Sequence, residues 1–243
     1  MNPINQPAIC FENVYFTSNK QQILENISGK IAEAKITAFV GPSGAGKSTL
    51  LKMCNRLISQ TSGKIEVFNQ PIEQFNPIEL RREVGISLQS APMINGTVFD
   101  NLNLPKKLQQ ATLSTRDAIT ILKDVGLDET FLKKDAKNLS GGQKQRVSIA
   151  RTLINKSKIL LLDEITSALD PTATKEIEQL ILSLNKKYNV TIILVTHNIE
   201  QAIAISDEIW VLMNGSLIEI CASNQLKNSS NPQIQQFLSG VLK

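Results

Sequence analysis

The sequence predicts an α/β fold in which a largely parallel sheet is covered by helices, and three observations predict it. Short apolar runs bounded by polar or turn residues, such as "KITAFV" (35–40) and "KILLLD" (158–163), alternate with helical patterns. Buried parallel strands read this way. A glycine-rich loop, "GPSGAGKST" (41–49), stands between the first of these runs and the helical stretch "STLLKMCNRL". Finally, 243 residues with 42% apolar and 20% charged side chains suffice for one substantial soluble domain with room for an inserted subdomain.

Taken in order, the first thirty-odd residues, "AICFENVYFTS…ILENISGKI", alternate loosely and predict an antiparallel piece beside the parallel core. After the glycine-rich loop and its helix, the β signal fades between about 90 and 140. There Ala118, Ile121, Leu122 and Val125 keep helical spacing, Ser114 or Thr115 can cap, and Gly126 can end the helix. This predicts a mostly helical insertion, about 89–143, in a core formed by about 1–88 and 144–243 of a single domain. Past it come "KILLLD", "VTIILVT" (190–196) and "DEIWVLMNG" (207–215), the last ending in a turn at Asn214-Gly215. The polar stretch "NQLKNSSNPQ" (224–233) reads as a loop or loosely held tail before a last short helix.

Composition narrows the function classes. The net charge is +4, but the basic residues are scattered in short pairs such as "KK" at 106–107, 133–134 and 186–187. Tracking nucleic acid needs Lys and Arg clustered on one face, so no nucleic-acid partner is expected. The runs "ILLL" and "IILV" are far too short to span a bilayer, and "MNPINQPAICFENV" lacks a basic start and a long apolar region, so no export signal is expected. Cys10, Cys54 and Cys221 have no metal spacing and read as reduced thiols. His197 is the one histidine, which rules out a His-rich zinc site.

The chemistry is carried by three stretches. "GPSGAGKS" fits G-x-x-x-x-G-K-[ST] directly after a strand and before a helix, the context that a phosphate loop requires. Gly41, Gly44 and Gly46 let backbone N–H groups curl around a phosphate, Lys47 neutralises its charge, and Ser48 offers a hydroxyl to Mg²⁺. "ILLLDE" (159–164) ends a buried strand with two carboxylates: Asp163 to hold a metal, Glu164 to polarise a water. The base-reading N-K-x-D pattern of GTPases is absent, which favours ATP. In "LSGGQKQRVSIARTL" (139–153), Ser140, Gly141 and Gly142 precede a helical pattern and form a second anion site at a helix N-terminus. Two phosphate sites about a hundred residues apart in one small chain need an explanation.

Over nearly its whole length the chain resembles the ATP-binding subunits of ABC transporters. Beyond the phosphate loop and "ILLLDE", the family signature stands as "LSGGQ" (139–143), "SALD" (167–170) matches the D-loop, Gln89 in "GISLQS" the Q-loop, and His197 in "VTHN" the switch histidine. The resemblance implies a P-loop NTPase of ABC type: a mixed sheet core with an antiparallel β subdomain and an inserted helical subdomain. It implies an ATPase using ATP and Mg²⁺, two copies pairing head to tail with each ATP between the phosphate loop of one and the LSGGQ of the other. By that likeness Gly41, Pro42, Ser43, Gly44, Ala45, Gly46, Lys47, Ser48 and Thr49 bind ATP, as do Ser140, Gly141, Gly142 and Gln143 across the interface. Ser48, Gln89 and Asp163 surround the metal, Glu164 is the general base, His197 orients the water, and Asp170 communicates between sites.

Two departures from the family pattern stand out. The slot where an aromatic usually stacks on adenine falls at Ser18, with Tyr15 and Phe16 nearby as strand residues or substitutes. Losing a ring there weakens binding by about 1 kcal/mol. The usual D-E-P-T reads "DEIT", with Ile165 for proline. The segment 89–105 carries Met93, Ile94, Val98, Phe99, Leu102 and Leu104, and in this family it faces a separate transmembrane permease. The implied location is the cytoplasmic face of the membrane, peripherally bound. "GTVFDNLNLP" with "DEITSALD" is most similar to a small bacterial branch named as iron exporters, whereas "STLLKMCNRL" leans toward phosphate importers. DNA-maintenance ATPases also use LSGGQ-like dimers, but the heptads and Cys pairs of that class are missing. The intact Glu164 argues against a regulatory module without turnover.

Overall fold

The computed structural model describes residues 7–240. Reading of the N-terminal stretch therefore lies partly outside the described residues. Alternation of apolar and polar side chains builds a four-stranded antiparallel sheet from β1 (Pro7–Ser18), β2 (Gln21–Ala32), β4 (Ser62–Val67) and β5 (Gln70–Pro71), in the order β2-β1-β4-β5. A second, six-stranded sheet takes β3 (Ile36–Val40), β6 (Val84–Ser87), β7 (Ile159–Asp163), β8 (Thr191–Val195), β9 (Glu208–Met213) and β10 (Ser216–Ala222). Its order is β10-β9-β3-β8-β7-β6, and all neighbours run parallel except β10 with β9. That exception follows from the tight turn at Asn214 and Gly215, both at positive φ.

The period of two along each parallel strand divides the core. Phe39, Leu161, Ile193 and Trp210 point to a layer shared with the antiparallel sheet, while Ala38, Leu160, Leu194 and Val211 point to the helices. Trp210 sits at the centre of the first layer, edge-on to Phe11 with ring centroids 5.8 Å apart and 5.4 Å from Phe39. The helices are α1 (Lys47–Met53), α2 (Pro77–Glu83), α3 (Val98–Lys107), α4 (Thr115–Asp124), α5 (Gly141–Leu153), α6 (Pro171–Tyr188), α7 (Ile199–Ile205) and α8 (Pro232–Leu238).

Between β6 and α5 the described chain forms helices joined by turns and loops, with no strand and one isolated bridge, Thr97 to Asp135. Ser114 caps α4 by accepting the Asp117 N–H, and Gly126 follows its end at φ 70°, as the spacing predicts. Helix α5 runs through residues 143–144, where the sequence places the boundary of the insertion, and packs on both α3 and β6. The expectation of a loose tail at 224–233 is corrected. Residues 223–228 form a 3-10 helix with Leu226 fully buried, the Ser229 hydroxyl donates to Glu219 Oε2 at 2.6 Å, and Ile234 of α8 is buried. Two well-placed apolar side chains anchor a stretch whose composition looks solvated. No helix among the described residues is long and apolar enough to cross a membrane.

Candidate nucleotide site

Four adjacent strands, β3, β8, β7 and β6, each end at the same sheet edge and each deliver one part of the site: residues 41–48, 196–198, 163–164 and 88–89. Parallel strands place their C-terminal ends together, which is why residues so distant in sequence meet. After β3 the chain turns sharply at Gly41, whose φ is 144°; a Cβ there would lie 1.9 Å from the Leu212 carbonyl oxygen. Gly46, at φ 92°, precedes α1, where a Cβ would press 2.5 Å from Leu24 Cδ2. Both positions need glycine, for close approach and for left-handed backbone.

Residues 43–49 enclose a recess of about 380 Å³ with Gln21, Ile23 and Glu164. The Lys47 ammonium reaches back over the loop and donates to the carbonyls of Gly41 at 2.8 Å and Pro42 at 2.7 Å. Burial lowers its pKa from the ordinary lysine value, opposed by the nearby charges of Glu164 and Asp163. Asp163 is nearly buried and accepts the Ser48 hydroxyl at 2.7 Å, with Lys52 Nζ at 3.4 Å from its other oxygen. A hydroxyl and a carboxylate held this close are hard oxygen donors of the kind Mg²⁺ selects.

Glu164 has a left-handed φ of 49°, and its N–H donates to Val195 at the end of β8. This backbone bond aims the side chain between the phosphate-loop recess and a neighbouring one of about 500 Å³ that also borders His197. His197 is largely exposed, with Nδ1 3.9 Å from Glu164 Oε2, beyond hydrogen-bond distance. Gln89 is exposed, and its Nε2 donates to Ser167 Oγ at 2.9 Å, whose hydroxyl donates in turn to the Glu164 carbonyl at 2.9 Å. Asp170 caps α6, accepting the N–H groups of Thr172 at 3.0 Å and Ala173 at 2.9 Å.

The signature residues lie elsewhere: none of 140–143 borders the phosphate-loop recess. Ser140 and Gln143 form a capping box, Ser140 N–H to Gln143 Oε1 at 3.1 Å and Gln143 N–H to Ser140 Oγ at 3.3 Å. The cap engages the third helical amide, and helix geometry leaves those of Gly141 and Gly142 without an intrahelical partner. Gly141 is exposed and Gly142 half-buried. Neither Tyr15 nor Phe16 borders the recess, and Phe16 packs against the layer between the sheets.

Sequence reading missed Lys52, Ser167 and Gln145. Lys52 was signalled by its place one helical turn after Ser48. Ser167 lies inside "SALD", read for its aspartate alone. Gln145, Ser148 and Thr152 form a stripe at helical spacing, polar yet buried, on the side of α5 that meets β6 and the Q-loop.

A family model described as "ABC transporter" matches residues 24–167. YjkB of Bacillus subtilis strain 168, named as an ABC transporter ATP-binding protein, is 43% identical over 242 residues, covering 97% of this chain and 96% of YjkB. Among solved structures, cbiO1 from Clostridium perfringens, part of the ABC transporter complex cbiONQ, superposes with a TM-score of 0.85 at 28% identity, covering 92% of each chain. The ATP-binding cassette MJ0796, in a dimeric post-hydrolysis state bound to ADP and Pi, superposes with a TM-score of 0.78 at 30% identity, covering 88% of this chain and 98% of the cassette.

Proposed function

Because the chain belongs to the ABC transporter family and is an ATP-hydrolysing subunit that powers transport, we propose that two copies close head to tail around ATP and drive a separate permease. One observation carries the pairing: the second set of free helix-start amides, at Gly141 and Gly142, is remote from the chain's own phosphate loop. A two-fold arrangement lets each copy complete the other's site. That answers why one chain carries two anion sites.

In this reading the loop amides of 41–49 and Lys47 hold the β- and γ-phosphates, and the partner's Ser140, Gly141 and Gly142 donate to the terminal phosphate. Gln143 supports that contact by fixing the helix start through its cap. Ser48, Asp163 and Gln89 would hold Mg²⁺, which supplies charge neutralisation at the phosphates when bound. Glu164 accepts a proton from the attacking water, and His197 fixes the orientation of that water and of the carboxylate. Asp170 sits where α6 begins beside α5, a position from which one site senses the other. Gly142 lies close enough to α6 that an added Cβ would stand 3.4 Å from Ala173 Cβ.

The permease surface extends beyond the segment 89–105. Val98 and Leu102 are buried in the helical layer, and Met93 and Phe99 pack against it. An open groove of about 480 Å³ runs instead between α2 and α3, with Ile86, Leu104 and Pro105 along it and Ile78 and Leu108 exposed at 62% and 76%. We assign this groove to a cytoplasmic helix of the permease, at the inner face of the membrane. For cargo, metal-ion efflux of the iron-exporter kind is favoured by "GTVFDNLNLP" and "DEITSALD". Co-expression with a polytopic membrane protein, should a neighbouring reading frame encode one, tests the assignment. Co-purification should be lost in Leu108→Glu while ATP turnover of the free subunit persists, and a complex unaffected by that change would refute the groove.

A further inference from the structure

Gln145 is charged with nothing in the site described above, yet it is one of the most buried polar side chains in the chain, 4% exposed. Its Nε2 donates to the backbone carbonyl of Gln89 at 2.6 Å and lies 3.5 Å from that of Leu88. Its Oε1 is buried with no partner among the described residues. The amide cannot be turned around, since that would aim an oxygen at two carbonyl oxygens. A persistent unsatisfied acceptor costs stability, so the bond to residue 89 is held at the expense of the oxygen. One turn further along α5, Ser148 Oγ meets Ser87 Oγ at 2.8 Å, both buried. These two contacts fasten the end of β6 and the start of the Q-loop to the helix that begins at Ser140.

We infer that Gln145 is a positioning residue that sets where the Gln89 side chain stands relative to the reacting phosphate. The inference rests on the role given above to Gln89. The Gln89 carbonyl is bonded to α5, and Gln89 follows an edge strand paired only with β7, whereas Asp163, Glu164 and His197 follow β7 and β8, each paired on both sides. The Gln89 amide has its present partner in Ser167, which in turn binds the Glu164 carbonyl. Gln145 therefore anchors the backbone of Gln89, whose side chain begins a run of hydrogen bonds through Ser167 to the backbone carbonyl of Glu164, without touching nucleotide itself.

A double-mutant cycle on the full-length protein decides it. Phosphate release is measured against ATP and against Mg²⁺ for wild type, Gln145→Leu, Gln89→Ala and the double variant. Leucine keeps much of the volume and removes both the amide donor and the orphaned oxygen, and Gln145→Met serves if the leucine variant does not fold. The expected result is a fall in kcat of tenfold or more with KM for ATP within twofold, and a half-saturating Mg²⁺ concentration raised as in Gln89→Ala. In the Gln89→Ala background the Gln145 change should then cost less than threefold. A merely structural role would multiply the two losses, and a cost of threefold or more in that background overturns the inference, as does a fall of less than threefold in the single variant. A silent Gln89→Ala would refute the role of Gln89 and this inference with it. An active Gln89 beside an inert Gln145 would refute the inference alone.

Discussion

Replacing Glu164 by glutamine separates binding from chemistry. The backbone at this position is held by a donated bond to Val195 and by the Ser167 hydroxyl on its carbonyl, so its left-handed conformation does not depend on the carboxylate. The side-chain contact that is lost, from the half-buried carboxylate to the exposed His197 at 3.9 Å, lies beyond hydrogen-bond distance and carries little energetic weight. The fold should therefore lose less than about 0.5 kcal/mol, as for other surface changes. Catalysis should lose far more. A general base contributes about 10²–10⁴-fold, equivalent to about 2.7–5.4 kcal/mol on the barrier. The nucleotide that joins two copies is then no longer consumed. With saturating Mg²⁺ and ATP the variant should elute at twice the 26.8 kDa of the monomer, while wild type returns to monomer as ATP is spent. Phosphate release and light scattering on the same sample read both quantities. A variant that keeps more than a tenth of wild-type turnover would remove Glu164 from the role of base. One that is inactive yet monomeric under these conditions would refute the shared-nucleotide arrangement.

Two further outcomes test the periphery of the site and of the fold. Ser18→Tyr should tighten ATP binding by about 1 kcal/mol, about fivefold in Kd by calorimetry, because no ring borders the recess beside Gln21 and Ile23; an unchanged Kd would mean that a ring already meets the base. Leu226→Ala should cost about 2–5 kcal/mol and lower Tm by roughly 2–4 °C for each kcal/mol, since the side chain is fully buried under β9, β10 and α7; an unshifted melting curve would show the tail to be dispensable.

The legible parts of this protein are those whose signal is local. The phosphate loop is announced by glycines that adjoin a strand and a helix, and four strands of the six-stranded sheet, β3, β7, β8 and β9, by continuous apolar runs. Helix α4 shows its period and both its ends. Strands β4, β6 and β10 were not legible: β6 has only four residues, and most of β10 is half-exposed, so neither gives a run or a clean alternation. The polar tail misled because two residues, Leu226 and Ile234, fix it while its composition speaks for solvent. At the site, motifs identified the residues that meet phosphate, and what they could not show is the set that holds those residues in place. Lys52 beside Asp163, Ser167 beneath Gln89 and Gln145 behind it are tertiary contacts, visible only once the strands are in order.

That supporting set bears on how two copies communicate. Helix α5 begins with the amides assigned to the partner's phosphate, and one turn later holds the carbonyl of Gln89. A rigid helix transmits a displacement of its first turn to its second with little loss. Movement of Gly141 and Gly142 onto a phosphate therefore shifts the Gln89 backbone of the same copy. The carboxylates and His197 follow β7 and β8, which are paired on both sides, whereas Gln89 follows β6, an edge strand paired only with β7, so a displacement of α5 would move Gln89 more than the carboxylates. On the proposed pairing, engagement of one nucleotide would change the distance between Gln89 and Glu164 in the chain's own site, and Ser167, bonded to both, would be the contact to yield. The groove assigned to the permease lies between α3, which packs on α5, and α2, which leads into β6. A helix seated there would press on the same unit from the opposite side, so on this proposal force from the permease and grip on the partner's phosphate would act through a single element.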